Sequence, residues 1–209
     1  KAIGTTWIFE RVTGWPAIPR ATIPRAGGGV VKVYDLRGLF PDEQSWTTTT
    51  KKTGFVFHHD AVSFSGKDVD FNGHTLDESL ERIKVIYDYH RNVGGQRGAG
   101  LPSWNGIGYH ALADLEGRIF LAGEIATHRA HVSNRNHDLY GICVLGNYSD
   151  GLRPDGSKVS PVEDRPPQAA LVAMDSLCRF VTGVVGHEMT LRPHKFYQEK
   201  PCPGDWATK

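Results

Sequence analysis

Phe55-Val56-Phe57-His58-His59 sets a short β-prone run directly against two imidazoles. A compact apolar run bounded by polar residues reads as a buried strand. A strand end that opens into a loop is where α/β proteins place functional side chains. Taken alone, the pair fits a strand-terminal histidine bonded to backbone equally well. The elements downstream fix the class. Thr75 to Asn92 predicts a helix, with Thr75 as cap, Glu78 three residues on, and Leu76, Leu80, Ile83 and Tyr87 at helical spacing. Ile107–Ala113 and Arg118–Leu121, split by Asp114-Leu115-Glu116-Gly117, predict a hairpin. Leu139 to Leu145 is continuously apolar, as in a strand covered on both faces. Pro166 to Val181 predicts a second helix with Ala170, Leu171, Met174, Leu177, Cys178 and Val181 inward. From Thr190 the tail reads as extended and turn-rich. Strands interleaved with helices predict a single α/β domain, a mixed central β-sheet flanked by helices.

Upstream, Pro16, Pro19, Pro24, Gly27, Gly28, Gly29 and Pro41 interrupt any long helix. One short strand is expected at Val30–Tyr34. The triple glycine lacks the Lys-Ser/Thr of a phosphate loop and reads as a flexible connection. Residues 1–53 are therefore expected as an extension packed on a domain spanning 54–209, and 209 residues suit one well-packed domain.

Composition excludes several classes. No apolar run approaches the roughly 18 residues of a membrane span, so no membrane insertion is expected. Lys and Arg total 24 against 23 Asp and Glu, a net charge of +1, which gives no electrostatic case for nucleic acid. A monomer is expected. No apolar leader segment is visible at Lys1-Ala2-Ile3-Gly4, although a removed one is compatible with this start. The three cysteines have no framework spacing. Cys143 and Cys178 read as buried small hydrophobes, whereas Cys202 sits in the turn Lys200-Pro201-Cys202-Pro203-Gly204.

The ten histidines are informative by placement. His194 and Cys202 flank Lys200, and the interval suits a folded-back loop. Zinc takes imidazole at about 2.0–2.1 Å and thiolate at about 2.3 Å, with three protein ligands in catalytic sites. A plain structural loop fits the spacing as well. Gly108-Tyr109-His110 places a tyrosine where it could donate into a site or serve as a core aromatic. His128 and His131 could form a second metal pair or belong to a groove loop. His187-Glu188 lacks the third element of a zincin helix. Asp35, Asp60 and Asp114 form no convincing carboxylate pair for glycoside cleavage.

Five pieces occur in one order: Phe57-His58-His59; Gly108-Tyr109-His110 with Asp114 to Arg118; His131 to Asn136; Tyr140 to Asn147; and His194 to Asp205. That order, over roughly residues 53–206, resembles the zinc N-acetylmuramoyl-L-alanine amidases of the type-2 amidase and peptidoglycan recognition protein family, especially phage lysins. The resemblance implies Zn2+ held in a surface groove by His58, His194 and Cys202. It implies a catalytic Tyr109, a catalytic lysine at Lys200, and His131 and Asn136 along the groove for glycan and peptide stem. It implies cleavage of the amide between N-acetylmuramic acid and L-alanine in bacterial peptidoglycan, by a phage or prophage endolysin acting at the cell wall. A non-catalytic peptidoglycan receptor of the same fold is the alternative; such relatives typically lack the cysteine. A metal nuclease of the His-Asn-His kind is a more distant rival. The extension at 1–53, the long stretch 67–104 and Gly123-Glu124, where relatives often read Gly-Arg, depart from the family pattern and bear on substrate preference.

Overall fold

The computed structural model describes residues 6–43, 45–48, 51–60, 75–92, 104–146, 148, 151–152, 158–159, 165–199 and 202–204. Ten strands are found among them: β1 (Ile8–Glu10), β2 (Ile18–Pro24), β3 (Val30–Asp35), β4 (Gly54–His59), β5 (Ala111–Ala113), β6 (Ile119–Leu121), β7 (Leu139–Val144), β8 (Gly151–Leu152), β9 (Lys158–Val159) and β10 (Thr190–Pro193). Two helices, α1 (Leu76–Asn92) and α2 (Gln168–Val185), accompany them. Eight strands form one mixed sheet in the order β1-β2-β3-β6-β5-β7-β4-β10, and β8 pairs with β9 separately. The expected α/β architecture is the one observed.

Local chemistry explains the elements. Thr75 and Glu78 form the capping box of α1: the Glu78 amide donates to Thr75 Oγ1 at 3.2 Å, and the Thr75 amide donates to Glu78 Oε2 at 3.1 Å. In the β5–β6 hairpin the turn closes on Asp114, whose Oδ1 accepts from the amides of Glu116 and Arg118. Helix α2 runs past the expected end at Val181 and stops at Gly186, left-handed at φ 76°, a conformation glycine adopts without cost. By length and composition alone this helix is apolar enough to cross a bilayer. In the fold, however, it lies along the sheet with Ala170, Ala173, Met174, Leu177, Cys178 and Val181 buried.

The N-terminal segment is where the sequence reading misses most. Gly27, Gly28 and Gly29, read as a flexible connection, all have φ between 84° and 106° and close the antiparallel β2–β3 pair. That left-handed run is open to glycine and strained for other residues. Through β3, which pairs in parallel with β6, β1 to β3 extend the sheet at one end.

The sheet separates two cores. One face holds Phe55, Tyr140, Ile142 and Val144 against α2. The other holds Leu112, Phe120, Cys143 and Leu145 against Leu80, Ile83, Ile86 and Tyr87 of α1. Strand β7 is buried along its whole length, as its unbroken apolar character requires. Because β4 is parallel to β7 and to β10, three carboxyl ends open on one edge, where α/β sheets place ligands.

Candidate metal centre

Strand register assembles the site. Pro193 of β10 pairs with Phe57 of β4, so His194, the next residue, arrives beside His58. Cys143 of β7 lies opposite His58 on the other side. Strand alternation then splits the two neighbouring imidazoles. His58 turns to the α1 face, and its ring centroid lies 4.4 Å from that of His194. His59 turns to the α2 face, where its Nδ1 accepts from the Tyr148 amide at 3.1 Å. Burial pushes the His59 imidazole down to about 4.

After β10, the chain makes a 3-10 turn (His194–Phe196) and returns to Cys202. The Lys195 amide donates to the Cys202 carbonyl at 3.0 Å, and Lys195 Nζ donates to the Gly204 carbonyl at 2.8 Å. The fold-back brings Cys202 Sγ to 3.7 Å from His58 Nδ1. One donor atom each from His58, His194 and Cys202 lies within 4.8 Å of the other two. Tetrahedral bonds of about 2.05 Å to nitrogen and about 2.3 Å to sulfur subtend an N···S edge of about 3.6 Å. The donor set therefore fits zinc in identity and in the spacing of its His–Cys edge.

The surroundings orient these donors. His194 Nε2 donates to Gln198 Oε1 at 2.8 Å, which leaves Nδ1 as the nitrogen with a lone pair to offer. The His59 amide donates to Cys202 Sγ at 3.4 Å, and an N–H aimed at sulfur favours the thiolate. His58 and His194 are buried, while Cys202 is half-buried.

Tyr109 packs against this cluster, with its ring 5.1 Å from His58 and 5.5 Å from His90. Burial raises its hydroxyl well above the ordinary tyrosine range. Cys143, expected as a small hydrophobe, is fully buried. His90 fixes the tyrosine from behind: its Nδ1 accepts from the Gly108 amide at 3.1 Å, and its ring lies 4.5 Å from Trp104.

His131 and Asn136 are the two residues expected along the groove. His131 is 7% exposed and lies behind His58, with Nδ1 3.2 Å from His58 Nε2. Burial lowers its imidazole to about 3. Asn136 Oδ1 accepts from the amides of His131 and Val132, at 3.0 and 2.8 Å, and so shapes that loop. His128 pairs its ring with His137 at 6.1 Å, apart from His131. Lys200 lies outside the described residues.

Several contributors escaped the sequence reading. Gln198, four residues after His194, could have been found from that spacing. Lys52 could not: it is 2% exposed, and its Nζ donates to the carbonyls of Thr127, Asn136 and Leu139 at 2.7, 3.2 and 2.9 Å. Nothing local in Lys51-Lys52 signals a buried ammonium.

Comparison with known proteins completes the picture. The family profile described as N-acetylmuramoyl-L-alanine amidase matches residues 48–205. No curated protein matches the chain by sequence. Among solved structures, a mutant of Drosophila PGRP-LB in complex with tracheal cytotoxin superimposes with a TM-score of 0.63 at 17% identity, covering 83% of this chain and 88% of that one. The N-acetylmuramoyl-L-alanine amidase LysC from Clostridium intestinale gives 0.55 at 16%, covering 83% and 89%. The endolysin of Thermus scotoductus bacteriophage Ph2119 gives 0.56 at 19%, covering 84% and 95%. At these identities the likeness establishes the fold.

Proposed function

The chain belongs to the N-acetylmuramoyl-L-alanine amidase family, and from that premise we propose that it is a zinc hydrolase cutting the amide between N-acetylmuramic acid and L-alanine in bacterial peptidoglycan. The observation that carries this reading is the convergence of His58, His194 and Cys202. A receptor has no need of a half-buried thiolate donor in that position.

A zinc ion held by these three donors supplies Lewis acidity to a carbonyl and lowers the pKa of a nearby water from 15.7 to about 7. The remaining work falls to the chain. Gln198 holds the His194 ring, and the His59 amide supports the sulfur. Tyr109 keeps its proton at neutral pH and can donate to the scissile carbonyl oxygen as charge builds there. Lys200, two residues before Cys202 in sequence, is the proposed cation for the same oxygen. A preorganised donor of this kind is typically worth about 10²–10³ in rate. A thiolate among the donors leaves less Lewis acidity than a third imidazole would, so Tyr109 and Lys200 carry more of the load. In the overall reaction water adds to the lactyl carbonyl and the C–N bond breaks. The carboxylate stays on the muramic acid, and the stem leaves with an amino-terminal L-alanine.

Action at the bacterial wall as a phage or prophage endolysin is part of the proposal, supported by the shared fold with the bacteriophage Ph2119 endolysin. Purified wall digested with the protein and read by mass spectrometry tests it. Stem peptides beginning with L-alanine, absent when a chelator is added, support the reading. Wall bound but uncut indicates a receptor, and cut glycan strands indicate a different hydrolase.

A further inference from the structure

The imidazole of His131 has partners on both nitrogens, and together they fix the proton on a neighbouring ring. Its Nε2 lies 3.3 Å from the Leu139 carbonyl oxygen. A carbonyl only accepts, so Nε2 carries the hydrogen. The same oxygen also takes a hydrogen bond from Lys52 Nζ at 2.9 Å. In the neutral ring a hydrogen on Nε2 leaves Nδ1 bare. Its Nδ1 is thus a lone pair, and it faces His58 Nε2 at 3.2 Å. His58 must supply the hydrogen of that contact. What remains on His58 is the lone pair of Nδ1, the atom 3.7 Å from Cys202 Sγ.

The seat of the His131 ring is built for it. A Cβ at residue 141 would come within 2.7–2.8 Å of the ring atoms Cγ, Cδ2 and Nδ1, so only glycine leaves room there. Asn136 holds the His131 amide, and the ring of His110 packs edge-on at 5.5 Å. Metal-bound histidines usually donate their second N–H to a carboxylate, a backbone carbonyl or water. Here an imidazole stands between the histidine and the carbonyl.

We propose that His131 is a positioning residue: anchored on the Leu139 carbonyl, it holds His58 as the Nε2–H tautomer and so presents Nδ1 to the metal. This deepens the zinc-hydrolase reading and rests on it for the identity of the metal, but not for the tautomer.

Long-range 1H–15N correlation spectra of the metal-free wild-type protein, labelled at histidine, read the tautomer directly. A protonated Nε2 and a bare Nδ1 on His58 are expected; a His58 protonated at Nδ1, or averaging between forms, overturns the proposal. Two variants extend the test. His131→Leu removes the acceptor and should weaken zinc binding by about 10–100-fold, as outer-shell losses do, with circular dichroism unchanged. His131→Asn, whose amide oxygen can take the place of Nδ1, should recover most of that affinity. A His131→Leu protein that binds zinc like the wild type overturns the proposal, and if it does not fold, the wild-type spectrum still decides. Failure of the amidase reading looks different: walls stay intact while the His58 tautomer is as stated.

Discussion

Cys202 Sγ lies 3.7 Å from His58 Nδ1 although 144 positions separate the two residues. The contact depends on β10 lying parallel to β4 with Pro193 beside Phe57, and on the return of the chain after the 3-10 turn. Removing the sulfur leaves that scaffold in place. Cys202→Ser should therefore fold normally yet bind zinc at least about 100-fold more weakly, beyond the usual outer-shell effect, with wall cleavage lost in parallel. Chelator competition and turbidity clearing measure the two. Lysis at the wild-type rate would remove Cys202 from the site.

Tyr109 makes a separable contribution. The hydroxyl stays protonated, and its ring lies against His58. Tyr109→Phe keeps the packing and should retain zinc, while turnover of a muropeptide drops about 10²–10³-fold. An unchanged rate would leave the hydroxyl no part in the reaction.

Gly141→Ala tests the seat of His131 without altering its chemistry. The added methyl meets the ring at 2.7–2.8 Å in a strand that cannot shift freely between β4 and β5. Overpacking of this kind costs about 1–3 kcal/mol, and the displaced ring should weaken zinc binding as well. Thermal melts and metal titration read both, and wild-type values in each would contradict the placement.

Acid should destabilise the fold through His90. Burial lowers its pKa from 6.5 to about 4, and its Nδ1 accepts from the Gly108 amide. Between pH 6.5 and about 4 the unfolded chain takes up a proton that the folded state resists, so stability is full above that window and falls as pH falls through it. The shift is worth at most about 3 kcal/mol. His59, also held near 4, adds in the same direction. Denaturant melts at pH 7.5 and 5 should show a smaller loss for His90→Gln than for the wild type; equal losses would contradict the assignment.

Asp42 and Arg129 form a bidentate pair at 2.7 and 2.8 Å, with Arg129 2% exposed. The pair ties the segment after β3 to the loop that carries His131. Asp42→Ala strands a buried guanidinium and should cost about 3–5 kcal/mol, measured by denaturant unfolding. A loss below about 1 kcal/mol would mean that water reaches Arg129.

The parts of this architecture that sequence discloses are those with local cause. The capping box at Thr75, the apolar stripe of α2 and the continuous run of β7 each express a short-range rule. The donor triad is legible because imidazole and thiolate are rare, chemically specific residues; His194 and Cys202 share one turn, and family order supplies His58. Of the N-terminal strands, β3 is legible at Val30–Tyr34, while β1 and β2 are hidden because Pro19 and Pro24 read as punctuation, although β2 accommodates both. His131 is legible as a site residue, but its place behind His58 is not, because sequence does not state which face of a loop turns inward. Its position depends on the long-range approach of Gly141 and on Lys52, whose ammonium is satisfied by three carbonyls contributed by distant residues.

Zinc K-edge absorption on the metal-loaded protein addresses the central claim most directly. Convergence of two imidazoles and one thiolate on one ion predicts a single sulfur scatterer at about 2.3 Å and nitrogen scatterers at about 2.0–2.1 Å, with the sulfur shell gone in Cys202→Ser. A zinc shell of nitrogen and oxygen alone in the wild-type protein would contradict it.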